Sequence, residues 1–244
     1  MAYTTINKSS SFINTKLYTG DGGTQSVTGV GFQPDWTWIK NRGSTDSHNV
    51  YDAVRGVTKY LLTNNTVAEG TTSGVTAFNS DGFSVGNNSM TNSNSNNYVS
   101  WNWKANGAGS ANTAGSINST VSVNTTSGFS IVKYTGTGSA GATVGHGLGV
   151  APKMIIVKQL NSSNYWTVYH KSLSATSWVY LDTNEANTSN IGMWNNTEPT
   201  SSVFSIGTYT NTNQSGSTYI AYCFAEKTGY SKFGSYEGNN NADG

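Results

Sequence analysis

A single cysteine, Cys223, in 244 residues excludes an internal disulfide and any cysteine-ligated zinc site. Histidine is nearly as scarce: His48, His146 and His170 lie far apart and no two form an H-x3-H pair, so no metal is expected. Charge is missing too. Asp, Glu, Lys and Arg make up 10% of the chain, against about 25% in an average soluble protein, and 13 basic residues balance 12 acidic ones. A near-neutral surface has no long-range field to gather nucleic acid, anionic lipid or phosphorylated substrates, so nucleic acid is excluded as a partner. No apolar run approaches the roughly 18 residues of a spanning helix, so membrane insertion is not expected. Residues 1–8 show no basic stretch followed by an apolar one, so no signal peptide is visible. What the chain does have is aromatic area, with 7 Trp, 14 Tyr and 8 Phe. That is enough to build a core at this length without staples.

Ordered blocks of the sequence recur. Tyr18-Thr19-Gly20 returns as Tyr134-Thr135-Gly136. Residues 31–40, with Pro34, Trp36, Trp38 and Lys40, return as 149–158, with Pro152, Met154, Ile156 and Lys158, 118 positions on (34 to 152). Val50-Tyr51-Asp52 meets Val168-Tyr169-His170 at the same offset. Phe83-Ser84-Val85-Gly86 meets Phe204-Ser205-Ile206-Gly207, and residues 98–103 meet 219–224, both 121 positions on (83 to 204, 98 to 219). Such order predicts a duplicated unit.

Within each copy, short runs of Val, Ile, Thr, Tyr, Phe and Trp alternate with Gly, Asn, Ser and Asp clusters, which is the pattern of strands and turns. Residues 26–28, 35–40, 48–54, 58–62, 82–85 and 97–104 read as strands, and 117–123 as a weaker one. No segment sustains helical periodicity. The expected fold is all-β, two tandem antiparallel β-sandwich repeats of jelly-roll or lectin-like kind. The first repeat would span 1–104 and the second 117–232. The small polar stretch 105–116 between them reads as a flexible linker. Residues 233–244 would then begin a third repeat or form an exchanged terminal strand, because Tyr236-Glu237-Gly238 matches the Tyr-Thr-Gly block.

Residues 1–6, Leu17-Tyr18-Thr19-Gly20, Phe32-Gln33-Pro34-Asp35, Ile39-Lys40-Asn41-Arg42, residues 51–56, 145–158 and 219–227 resemble a repeat family of virion proteins in marine tailed bacteriophages. The resemblance implies a tail-fibre-like, surface-exposed structural protein with a lectin-like sandwich and no established catalytic residues. Location on the phage particle after synthesis in the host cytoplasm, contact with other virion proteins and homo-oligomers, trimers among them, are further implications.

Candidate ligand-contacting residues are few. Most tryptophans face bulky apolar partners in the other copy (Trp36 with Met154, Trp38 with Ile156, Trp101 with Tyr222, Trp103 with Phe224), which argues for core packing. Trp166 differs, since its counterpart is His48 and a polar loop ending at Tyr165 leads into it. Trp166, Tyr165 and His48 are therefore candidate ligand contacts. His146, in a glycine-flanked loop, is another, with a strand-capping turn as the plainer reading. Lys40 and Lys158 share a position and read as edge-strand residues that discourage aggregation. Catalytic residues and cofactors are expected to be absent.

The leading expectation is a non-enzymatic virion surface protein that recognises host-surface glycans, its neutral loops of Asn, Ser, Thr and Tyr suiting uncharged polar ligands. The alternatives are a purely architectural or capsid-decorating protein, a secreted adhesin, and a polysaccharide depolymerase with two carboxylates in a groove, Asp182 or Glu185 among them.

Overall fold

The computed structural model describes residues 4–239 and 241. It is mostly β, with several antiparallel sheets and a few one-turn helices. In the first half, β1 (Ile13–Thr19), β2 (Gln25–Thr28), β3 (Trp36–Asn41), β4 (Asn49–Asp52) and β5 (Lys59–Leu62) are followed by β6 (Gly70–Thr71), β7 (Val75–Asn79), β8 (Gly82–Val85), helix α1 (Ser89–Asn92) and β9 (Asn97–Trp103). In the second half, β10 (Ser110–Asn112), β11 (Ser119–Asn124), β12 (Phe129–Thr135), β13 (Ala142–Gly145), β14 (Met154–Gln159) and β15 (Thr167–His170) come first. They are followed by β16 (Ser177–Tyr180), β17 (Thr188–Ser189), α2 (Ile191–Trp194), β18 (Val203–Ile206), α3 (Thr210–Asn213) and β19 (Thr218–Phe224). The six strands expected at 26–28, 35–40, 48–54, 58–62, 82–85 and 97–104 all exist, with no end shifted by more than two residues.

Two sheets dominate. One has six strands in the order β1-β9-β3-β4-β5-β6, the other eight in the order β10-β11-β12-β19-β14-β15-β16-β17. The smaller sheets are β2-β8-β7 and β13-β18. Period-two alternation decides what lies between them. On β3, Ile39 faces a core shared with Val27, Val75, Phe83 and Val85 of the three-stranded sheet, while Trp36 and Trp38 face the other way. On β14, Ile155 and Val157 join Val144, Phe204 and Ile206 of the two-stranded sheet, while Met154 and Ile156 face the other way. The two remaining faces meet each other: Trp36, Val50 and Leu61 from the six-stranded sheet pack with Phe129, Ile131, Ile156, Trp166, Ile220 and Tyr222 from the eight-stranded one. The middle of each large sheet is therefore covered on both faces, and β4 and β14 read as nearly continuous buried runs for that reason. Cys223 falls on the face of β19 turned to the two-stranded sheet, where burial pushes its thiol up to about 12 and leaves it a small core residue.

The Tyr-Thr-Gly blocks acquire a physical meaning. Tyr18 stacks on Tyr98 at 5.1 Å, and Tyr134 on Tyr219 at the same distance. Tyr98 and Tyr219 donate from their hydroxyls to Ser89 O and Thr210 O in the first turn of α1 and α3. Tyr18 and Tyr134 donate to Thr91 O and Thr212 O in the same helices. Each glycine packs so tightly against the exit of its helix that a Cβ would run into the carbonyl of Ser93 or Gln214. Asn92 and Asn213, both fully buried, complete the motif: Asn92 Nδ2 donates to Gly23 O and Gly86 O, and Asn213 Nδ2 to Ser139 O and Gly207 O.

Polar groups also pin the contact between the two large sheets. Asp52 and Arg55 form a buried ion pair, and Arg55 reaches Glu69 at 3.3 Å. Tyr222 of β19 donates to Asp52 Oδ2 at 2.8 Å. Lys158 is fully buried and donates to Thr66 O and Asn164 O, with burial lowering its ammonium to about 8. This corrects the edge-strand reading of the two lysines. β3 and β14 are interior strands, flanked by β9 and β4 and by β19 and β15, and Lys158 ties together segments from the two halves. Residues 105–116, expected as a flexible linker, hold strand β10 of the eight-stranded sheet, and Ala105 N donates to the buried carboxylate of Asp35 at 2.6 Å. Residues 233–239 form no strand, and the rest of the expected terminal strand lies outside the described residues apart from 241.

Asn92→Ala and Asn213→Ala each leave buried backbone groups without partners, so each is expected to lower stability by about 2–3 kcal/mol in urea denaturation. Asp52→Ala takes away the closer counter-charge of buried Arg55, leaving it only the longer pair with Glu69, and strips Tyr222 of its acceptor. The expected loss is about 3–5 kcal/mol, larger than for either asparagine.

Candidate functional site

The antiparallel register of β3 and β9 sets Trp36 opposite Trp103 and Trp38 opposite Trp101. Alternation then puts four indoles on one face of the six-stranded sheet. Trp36 is covered by Tyr222, whose ring lies 4.5 Å away, and by Phe129 at 5.7 Å. The cover stops there. Trp38, Trp101 and Trp103 remain partly exposed. With His48, at the entrance to β4, they line an open depression of about 270 Å3. Trp38 meets Trp101 edge to face at 6.4 Å and His48 at 5.9 Å.

One hydrogen bond orders this groove. Trp38 Nε1 donates to His48 Nδ1 at 3.0 Å. An indole can only donate, so Nδ1 must be the acceptor, and the neutral imidazole carries its proton on Nε2. Burial, followed by the nearby charge of Lys40, lowers the pKa of His48 and favours that neutral form. Lys40 itself is turned to Asn41 O and Ser44 O, and the His48 backbone N–H is held by Asn64 Oδ1. The result is a set of indole surfaces with a histidine of fixed tautomer and no formal charge in the lining.

Of the four residues singled out from sequence, only His48 lies here. Trp166 is a correction: it is fully buried between the two large sheets, its Nε1 donating to Leu62 O at 2.8 Å, so it cannot meet a surface ligand. His146 is a second correction. It is fully buried, with Leu148 N donating to its Nδ1 and its Nε2 facing Thr200 O, which is the capping role. Tyr165 is 38% exposed and stacks on Tyr180 at 4.6 Å, away from the groove.

Trp38, Trp101 and Trp103 were expected in the core because their counterparts are apolar. Of those counterparts Ile156 and Tyr222 are buried and Phe224 is partly buried, while Leu62 and Thr66 of the first half accept from Trp166 and Lys158. Around His48 the corresponding face stays partly open. The available signal was the exchange of Trp166 for His48 at the matching position.

Acidic side chains lie elsewhere. Asp35 is buried and accepts from Ala105 N, Gly107 N and Gln33 Nε2. Asp182 accepts from Trp166 N, and Glu185 is exposed. Among the described residues no cluster of His, Cys, Asp and Glu is suited to a metal ion.

A family model described as Domain of unknown function (DUF7483) matches residues 8–244. The chain belongs to that family. The match takes in both large sheets and every residue of the groove. No curated protein and no solved structure matches the chain.

The lowered pKa of His48 has a signed consequence. The unfolded chain takes up this proton near pH 6.5, before the folded one does. The stability due to the neutral imidazole is therefore full above that pH and is lost as pH falls through the folded-state value. Protonation also places a second donor on Nδ1 against Trp38 Nε1. Tryptophan fluorescence of the native protein is expected to titrate below about pH 6.5, and the transition is expected to vanish in His48→Gln.

Proposed function

We propose that this protein is a non-enzymatic virion surface protein, tail-fibre-like, that binds uncharged glycans through the Trp38–His48–Trp101–Trp103 groove. The observation that carries the reading is the groove itself. Flat indoles offer apolar faces to the C–H side of a pyranose ring, and a histidine of fixed tautomer offers a donor to a hydroxyl. The four lining side chains include no carboxylate, which supports binding rather than hydrolysis. The virion setting, with its other virion proteins and homo-oligomeric assembly, rests on the sequence resemblance. Many copies on one particle would convert weak single sites into useful avidity.

We also infer two copies of one β-sandwich unit. Three correspondences support this: the order β1-β9-β3-β4-β5-β6 parallels β12-β19-β14-β15-β16-β17, the pair β2-β8 parallels β13-β18, and the two tyrosine stacks hold α1 and α3 alike. A purely architectural role is favoured by one feature, Tyr236, which stands 93% exposed and free to enter a neighbouring subunit.

The test is a glycan array followed by calorimetry on its neutral hits. Trp101→Ala is expected to weaken binding at least tenfold, about 1.4 kcal/mol, without lowering the melting temperature. Equal binding by wild type and Trp101→Ala, or no neutral glycan bound at all, overturns the reading.

A further inference from the structure

The outer edges of the two large sheets are unequal. Among the described residues, β6 and β17 end their sheets with two residues each and β10 with three, whereas β1 leaves seven, Ile13–Thr19, along the remaining edge. Short edges, prolines and bulges are the usual defences against strand addition. β1 has none of them, and its register with β9 runs through seven consecutive pairs without a shift. The flanking bonds fix which groups look outward. Gly20 N donates to Asn96 O and Lys104 N to Phe12 O. Asn14, Lys16 and Tyr18 therefore exchange bonds with β9, while Ile13, Thr15, Leu17 and Thr19 turn their N–H and C=O groups away from it. Thr15 N is taken by Asn14 Oδ1, and Thr19 O by Gln25 Nε2. Between them the outward N–H and C=O of Leu17 have no partner among the described residues, and its side chain is 61% exposed.

The second half shows what fits on such an edge. Tyr18-Thr19-Gly20 corresponds to Tyr134-Thr135-Gly136, so β12 is the counterpart of β1 and Lys133 that of Leu17 (18 to 134, 17 to 133). β12 is no edge. β11 lies along it in antiparallel register, from Ser119 opposite Tyr134 to Asn124 opposite Phe129. In the first half, residues 4–8 stand where 120–124 of β11 would (4 to 120, 8 to 124) and form no strand.

The chemistry of the edge names its partner. Where β12 sets Lys133 opposite Thr120, β1 carries an exposed leucine between two exposed threonines. Lys16 is the single charge of the strand. A second β1, run antiparallel and centred on Leu17, answers every position: Leu17 meets Leu17, Thr15 meets Thr19, and Lys16 meets Tyr18. No charge is set against its like, as it would be in the register centred on Lys16. The two leucines exchange both backbone bonds, and a two-fold axis satisfies both copies at once with no long edge left over.

We propose that β1 is a self-association edge, through which two copies of this chain join their six-stranded sheets into one continuous sheet. This gives the homo-oligomeric assembly proposed for the protein a surface, and it rests on that part of the reading and not on the glycan groove. Thr15 and Ile13 lie opposite Trp101 and Trp103 and share their face. A two-fold axis normal to the sheet then puts both indole grooves on the same side of the dimer, their β9 strands three strand spacings apart, about 14 Å. Two grooves on one side suit bivalent attachment to a glycan-covered surface.

The experiment is sedimentation equilibrium on the full chain, with calorimetry on a monovalent glycan beside it. A reversible dimer is expected. Leu17→Lys sets two ammonium groups against each other at the seam and is expected to weaken the dimer about tenfold or more, and Leu17→Glu likewise. Because position 17 faces itself, an equimolar mixture of the two variants is expected to regain the dimer, which two misfolded chains could not do. Leu17→Cys, the mildest replacement, is expected to give a disulfide-linked dimer under oxidised glutathione, since the native Cys223 is buried. A chain monomeric at every concentration, a closed trimer, or a dimer indifferent to Leu17→Lys overturns the proposal. A mixture that does not recover, together with no Leu17→Cys cross-link, overturns the self-facing register. Leu17→Lys is expected to bind the monovalent glycan as the unaltered chain does. Absence of glycan binding in a chain that still dimerises counts against the groove and not against this edge.

Discussion

Trp36 against Tyr222 is the contact on which the rest of the molecule depends. The rings lie 4.5 Å apart and nearly parallel, one on the six-stranded sheet and one on the eight-stranded sheet. Burying aromatic surface of this size stabilises the packed state by a few kcal/mol per ring, but its larger effect is geometric. It turns the second face of each large sheet from a surface into an interior. The polar groups beside it then have no freedom. Tyr222 needs an acceptor and finds Asp52, Asp52 needs a cation and finds Arg55, and Arg55 extends to Glu69. An ion pair so deeply buried contributes little net stability, yet it penalises any other alignment of the sheets.

The groove follows from the same contact. Packing around Trp36 and Tyr222 leaves the far part of the six-stranded face without a cover of its own. In the second half the equivalent zone is closed, because Leu62 O receives Trp166 Nε1 and Thr66 O receives Lys158 Nζ. Around His48 the imidazole instead accepts from Trp38 and leaves the indoles partly open. One exchange in matching blocks, tryptophan for histidine, thus separates a closed interior from an accessible aromatic surface.

The strands were readable in the chain because alternation and glycine-rich turns are local properties. Trp36-Thr37-Trp38-Ile39 and Tyr219-Ile220-Ala221-Tyr222 carry the period of two whatever packs on them. The tyrosine and glycine of the Tyr-Thr-Gly blocks were visible as repeats, although their task of gripping a one-turn helix was not, since the partners Thr91 and Thr212 lie 73 and 78 residues further on from Tyr18 and Tyr134 (18 to 91, 134 to 212). The stretch 105–116 misleads by composition. Small residues suit a mobile linker, but they equally suit a strand and turns laid closely against a sheet, and only the neighbouring backbone distinguishes them.

Sequence by itself therefore determined the β class, the order of the repeated blocks and the poverty of charge. Tertiary structure decided which tryptophans are interior. Alternation assigns Trp36, Trp38, Trp101 and Trp103 to one face, and Trp166 is as apolar as any of them. Whether a face is covered depends on the relative placement of two sheets, which is a property of long-range packing and is written in no local pattern. Accessibility, and with it any site, is settled only when the sheets meet.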